Sequence, residues 1–112
     1  DKDFIQKLLD YINENISDSN LSVEELASQL KLSRSQLYRK IKALTGQTVN
    51  EFIRKIRLER AKQILDSGNA NISEACFSVG FSSPSYFSKC FKAHFGILPS
   101  ELEAKKETIL KG

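Results

Sequence analysis

Apolar residues recur at three- and four-residue spacing through almost the whole chain, with short polar breaks between, a pattern that predicts an all-α protein of about seven helices. Phe4, Ile5, Leu8, Leu9, Ile12 and Ile16 give an amphipathic helix over Asp3 to Ile16 that should pack on the segment after it. After the loop SDSNL, Ser22 with Glu25 reads as a capping box opening a helix that carries Val23, Leu26, Ala27 and Leu30. Lys31 and Leu32 make a turn, and Ser33 with Gln36 caps the helix that ends at Gly46. Thr48 with Glu51 then opens a long helix that stops at Gly68. Its apolar positions run Val49, Phe52, Ile53, Ile56 and then Ala61, Ile64, Leu65, drifting around the helix, which predicts two packing partners.

The segments on either side of that helix are copies of each other. An offset of 49 lays Val23 on Ile72, Leu26 on Ala75, Leu30 on Val79 and Leu32 on Phe81. After one inserted residue the offset is 50, laying Leu37 on Phe87, Ile41 on Phe91, Lys42 on Lys92 and Gly46 on Gly96. In the second copy Asn71 with Glu74 caps a helix carrying Ile72, Ala75, Cys76 and Val79, Phe81 fills the turn, and Ser83 before Pro84 opens a helix to Phe95. Pro99 opens a last helix with Leu102, Ile109 and Leu110. The expected organisation is two helix-turn-helix subdomains joined by a central linker helix: residues 1–47, 48–68 and 69–112, acting as one unit.

Helical geometry separates the faces of the longer helix in each copy. Leu37, Ile41 and Leu44 fall inward, and Ser35, Tyr38, Arg39 and Lys42 outward. The second copy repeats this with Phe87, Phe91 and His94 inward, and Ser85, Ser88, Lys89 and Lys92 outward. One polar face could be merely solvated; its recurrence in two basic copies favours a binding surface. His94, at the place of Leu44, reads as a partly buried core imidazole rather than a catalytic or metal-binding one.

With 112 residues and 40% apolar content the chain suits one domain or two joined halves. Its net charge of +3 is unevenly spread. Residues 1–30 hold two Lys against seven acidic residues, whereas residues 31–62 hold ten Lys and Arg against two Glu, and the remainder balances. Basic charge focused on the first long helix and the central one suits a polyanion. Without a long apolar run or a basic leader followed by an apolar stretch, the fragment is expected to lie in the cytoplasm, free of membrane contact. A start at Asp1 rather than Met fits a piece of a longer chain or a removed tag.

Cys76 and Cys90 sit within apolar patterns and read as buried free thiols rather than a disulfide or metal site. Arg57 and Arg60 interrupt the apolar side of the central helix, where ion pairs with Glu25 or Glu74 are expected; Lys55 with Glu59 is a surface pair. A single His and the lack of metal spacing or a phosphate-cradling Gly-rich loop argue against an enzyme, a cofactor or a metal.

ISEACFSVGFSSPSYFSKCFKAHFGILPSE resembles the second helix-turn-helix signature of AraC/XylS-type bacterial transcription regulators, and RLERAKQIL resembles their linker-helix signature. LSRSQLYRKIKALTGQTVNEFI is most like the output domain of hybrid two-component regulators. The resemblance covers roughly residues 5 to 102, with departures at Ala75 and Cys76, Leu98 and Leu102 that concern packing and the last cap. It implies that Arg34 to Leu44 and Pro84 to Phe95 are recognition helices entering adjacent major grooves of double-stranded DNA. Arg39, with Lys89 as its counterpart, would then read base edges; Ser35, Tyr38, Ser85 and Ser88 would add hydrogen bonds or thymine-methyl contacts. Arg34, Lys42 and Lys92 would favour phosphates, with Ser83 heading the second helix and backbone N–H groups near Thr48, Val49 and Ser100 as further anion sites. The fragment is expected to be a monomer that regulates transcription within a longer regulator, with RNA polymerase as the partner of the whole. The rival reading is a helical protein-interaction domain docking an acidic partner.

Overall fold

The computed structural model describes residues 2–111, with side chains described from residue 2 to residue 105. Among the described residues there are seven helices and no strand: α1 (Lys2–Glu14), α2 (Val23–Gln29), α3 (Arg34–Thr45), α4 (Val49–Ser67), α5 (Ile72–Ser78), α6 (Pro84–Phe95) and α7 (Pro99–Lys111). None of them is long and apolar enough to cross a membrane. The helices form two helix-turn-helix units, α2–α3 and α5–α6, strung along α4 in a body of 51 × 23 × 22 Å.

The caps explain where the elements begin. Ser33 with Gln36, Thr48 with Glu51 and Asn71 with Glu74 form complete capping boxes, each satisfying two otherwise orphaned N–H groups. Ser22 makes only half of the expected box: its Oγ accepts from the Glu25 N–H, while the Glu25 side chain stays exposed instead of returning to Ser22. Glu101 makes the complementary half at α7, accepting from the Leu98 N–H at 3.1 Å where no hydroxyl stands at position 98.

Two separate cores account for the drifting stripe of α4. Val49, Phe52 and Ile53 pack with Phe4, Leu8 and Ile12 of α1, Val23, Leu26 and Ala27 of α2, and Leu37 and Ile41 of α3. Ala61, Leu65 and also Leu58, which the expected stripe lacked, pack with Ala75, Cys76, Val79, Phe81, Phe87 and Phe91. Rings dominate this second core: Phe81, Phe87, Phe91 and Phe95 follow one another at centroid distances of 5.2, 5.7 and 4.6 Å, within the favourable aromatic range. Small Ala75 and Cys76, both fully buried, leave room for them. Burial pushes the Cys76 thiol up, so it stays protonated at neutral pH.

Several expectations are corrected. α1 stops at Glu14, where Asn15 turns its amide onto the Tyr11 carbonyl at 2.9 Å, so Ile16 lies in the loop and packs against the second core rather than the first. Leu44 is 43% exposed and His94 is exposed, so neither is a core residue; Thr45 and Phe95, one position on, take the half-buried places. Cys90 is only half-buried, being beside rather than on the Phe87–Phe91 stripe. Arg60 is exposed, and Arg57 bonds to backbone carbonyls instead of Glu25 or Glu74. Ile109 and Leu110 lie outside the described side chains.

Candidate nucleic-acid interface

α3 is rooted by Leu37 and Ile41, both fully buried, which forces its opposite side outward. Ser35, Arg39 and Lys42 are exposed there, whereas Tyr38 is half-buried because its ring packs on the first core. The Arg34 guanidinium lies 5.9 Å from the Tyr38 ring centroid and 3.0 Å from a Glu24 carboxylate oxygen. With side chains 58% and 62% exposed, that ion pair is screened by water and is readily exchanged for another anion. Lys42 donates to the Gly46 carbonyl at 2.9 Å, which places its charge at the negative end of the helix and leaves two N–H donors.

α6 repeats the arrangement on Phe87 and Phe91. Ser85, Lys89 and Lys92 are exposed and Ser88 is half-buried. Ser83 is the N-cap: its Oγ accepts from the Tyr86 N–H at 3.2 Å, so its hydroxyl is engaged in holding the helix.

The head of α4 is less open to anions than its position suggests. The Thr48 N–H donates to Glu51 Oε1 at 2.9 Å, and the Thr48 Oγ accepts from the Glu51 N–H at 3.1 Å. Thr48, first through its backbone N–H and then its hydroxyl, holds the Glu51 carboxyl below its ordinary value, with Lys42 and Arg54 adding to the effect. The Thr48 N–H is therefore spent inside the capping box, beside a carboxylate that repels phosphate.

Two residues that the sequence reading passed over complete the surface. Tyr86 is 50% exposed and occupies the place of Gln36 in the first repeat, so the offset of 50 does mark it as outward; attention to Ser and Lys positions missed it. Arg54 on α4 donates to the Tyr86 hydroxyl at 3.5 Å. Together with Glu51, Lys55 and Lys89 they line an open groove of about 400 Å³ between α4 and α6. Beside it Tyr38, Arg39, Lys42 and Ala43 of α3, with Thr48 at the head of α4, line an open and mostly apolar hollow of about 490 Å³. Two exposed helix faces, each with a cation flanked by hydrogen-bonding side chains, suit contact with both phosphates and base edges.

Comparison with known proteins places the chain among helix-turn-helix proteins. Residues 26–105 match the family model described as a helix-turn-helix domain. The chain is 41% identical over 103 residues, 92% of its length, to a protein named Histidine kinase P4 from Formosa agariphila, of which it spans only 8%. It spans between 29% and 38% of the transcription regulators and activators that it also matches. Among solved structures it is similar to an AraC-type DNA-binding regulator from Chromobacterium violaceum, with 30% identity and a TM-score of 0.84 over 93% of this chain and 92% of that one. It is also similar to the C-terminal domain of AraT, a response regulator from Geobacillus stearothermophilus, with 31% identity and a TM-score of 0.82 over 91% of this chain and 84% of that one.

Proposed function

The chain belongs to the AraC-type helix-turn-helix family of transcription regulators, and from that premise we propose that it binds specific double-stranded DNA with α3 and α6 in adjacent major grooves. Residues 1–47, 48–68 and 69–112 act as one such unit. The observation that carries the reading is the repeated face: α3 and α6, joined by one linker helix and rooted by the same buried stripe, hold Arg39 and Lys89 at corresponding exposed positions.

Phosphate contacts supply most of the affinity and base edges supply the selectivity. Arg39 presents a planar fork to the O6 and N7 of guanine; Lys89 offers a point charge. Ser35, Tyr38, Ser85 and Ser88 add hydrogen bonds or apolar contacts, and Arg34, Lys42 and Lys92 meet phosphates. Thr48 and Ser83 contribute by fixing the heads of α4 and α6. The similarity to a response-regulator C-terminal domain and to a protein named as a histidine kinase supports a role as the cytoplasmic output module of a two-component regulator. Contact with RNA polymerase then belongs to the full regulator.

Gel-shift titration of the chain against duplex selected from a random pool, at several salt concentrations, tests this. The expected result is a sequence-dependent, salt-sensitive shift. Retention of an acidic protein partner in the presence of excess duplex, with no shift of DNA, would establish the rival protein-docking function instead.

A further inference from the structure

We propose that Arg57 is a positioning residue that fixes the relative orientation of α3 and α6 by tying the α1–α2 loop to the turn of the second helix-turn-helix; its bearing on DNA rests on the function proposed above. Arg57 leaves α4 between the two cores, after Ile53 of the first and before Leu58 of the second. Its Nη2 donates to the Asp18 carbonyl at 2.8 Å, and its Nη1 donates to the Gly80 carbonyl at 3.5 Å. Asp18 belongs to the first half and Gly80 to the second, so one guanidinium grips both.

Two further observations place this junction under close packing. Ile16, from the same loop as Asp18, has its side chain against the second core. Gly80 has φ of 89°, and a Cβ there would run into the Ile16 carbonyl and stand 2.9 Å from Arg57 Cζ. The turn of the second unit is thus pressed onto the loop of the first, with Arg57 beside it.

The seat is a costly one for a cation. Burial pulls the Arg57 pKa down against the opposing pull of the Asp18 charge, and its Nε is buried without a hydrogen-bond partner among the described residues. A cation held at such a cost is weak evidence for stability, and its two bonds to different halves give it a part in fixing their geometry. A shared helix resists bending, but a single axis leaves twist between the halves to the give of two cores. A second attachment away from that axis removes this freedom, and Arg57 supplies it. DNA that must meet both recognition helices in phase then meets a preorganised surface.

The test has two arms, each comparing the wild type with Arg57→Met and Arg57→Lys, the latter keeping charge while reaching one carbonyl. In the first, spin labels are placed through Ser28→Cys on α2 and Ser73→Cys on α5 in a Cys90→Ser background, and their distance distribution is recorded without DNA. A narrow distribution that broadens in both variants supports the brace; an unchanged width overturns it. In the second, the duplex selected by the wild type is compared with each of its halves. At least a tenfold loss on the full duplex, with half-site affinity kept within about twofold, supports positioning. Equal losses on full and half-sites mean a purely structural role and overturn the proposal. Absence of any wild-type shift would refute the DNA-binding function, while the distance measurement would still decide whether Arg57 braces the halves. If Arg57→Met does not fold, Arg57→Lys carries both arms.

Discussion

Lys31 and Gly80 hold the same place in the two helix-turn-helix units, and both turn the chain with positive φ, 59° and 89°. The bonds that close the two turns match: the Leu32 N–H donates to the Ala27 carbonyl at 2.9 Å, and the Phe81 N–H to the Cys76 carbonyl at 3.1 Å. A side chain in the left-handed region costs about 1–2 kcal/mol, which Lys31 bears because its side chain is free to extend into solvent. Position 80 has no such outlet.

Lys31→Gly is therefore expected to raise stability by up to about 1 kcal/mol, the relief of strain being partly offset by the greater freedom of glycine in the unfolded chain. Gly80→Ala should destabilise by more than Gly68→Ala, because Gly68 shares the positive φ, 76°, but a Cβ there would meet nothing within 4 Å. Urea unfolding of the three variants gives the comparison. Equal losses for the two alanine variants would mean that the contact with Ile16 and Arg57 adds nothing.

The elements were legible because their ends are written locally. Thr48 and Glu51 need only each other to cap α4, and the apolar drift of that helix anticipates two cores whatever their contents. The junction between the halves was not legible, since Arg57 bonds to the carbonyls of Asp18 and Gly80, and a carbonyl has no side-chain signature. Leu44 and Thr45 lie only 100° apart on α3, near the edge of its stripe, so periodicity cannot decide which of them the neighbouring helices cover. The outward faces followed from the inward ones at Leu37, Ile41, Phe87 and Phe91, and Tyr86, 50% exposed at the place of Gln36, was legible by the same offset.

Glu51 gives a pH signature. Its carboxyl is held below the ordinary value of 4.5 by the Thr48 N–H and hydroxyl, so its capping contribution is complete above that value and is lost as pH falls through the lower folded one. A carbon-detected NMR titration should place its midpoint below 4.5, and Thr48→Ala should return it part of the way. A midpoint that ignores the Thr48 substitution would remove the hydroxyl from the account.

Arg39→Ala should weaken specific binding by about 1–3 kcal/mol and relax preference at one base position, because the proposed bidentate reader is lost. Lys42→Ala should weaken all duplexes alike and lower the salt slope by about 1. Both variants are to be titrated against a panel of single-base changes. Uniform loss across that panel for Arg39→Ala would reassign it to phosphate contact.

In the proposed mode the chain should sediment as a monomer without DNA, since α3 and α6 both pack against one α4. Its log affinity should fall with log salt by about 0.9 for each phosphate neutralised. A tight dimer of this chain alone, or binding indifferent to salt, would contradict the proposed mode.

In the proposed mode the linker sets a phase that DNA must match. α4 has 19 residues, or about 28 Å at 1.5 Å per residue, against the roughly 34 Å between successive major grooves on one face of the duplex. Because its first half is buried in one core and its second half in the other, turning one unit relative to the other exposes apolar surface. Bending the DNA is the easier accommodation, at about 1–6 kcal/mol for a smooth bend. Insertion of about half a helical turn between the two half-sites should then abolish the contribution of the second. A Lys89→Ala, Ser85→Ala double variant should correspondingly lose affinity on the correctly phased duplex and lose little on the inserted one. Tight binding to the inserted duplex that still depends on Lys89 would mean that the halves move independently, because only a flexible α4 junction lets α6 reach a groove displaced around the DNA.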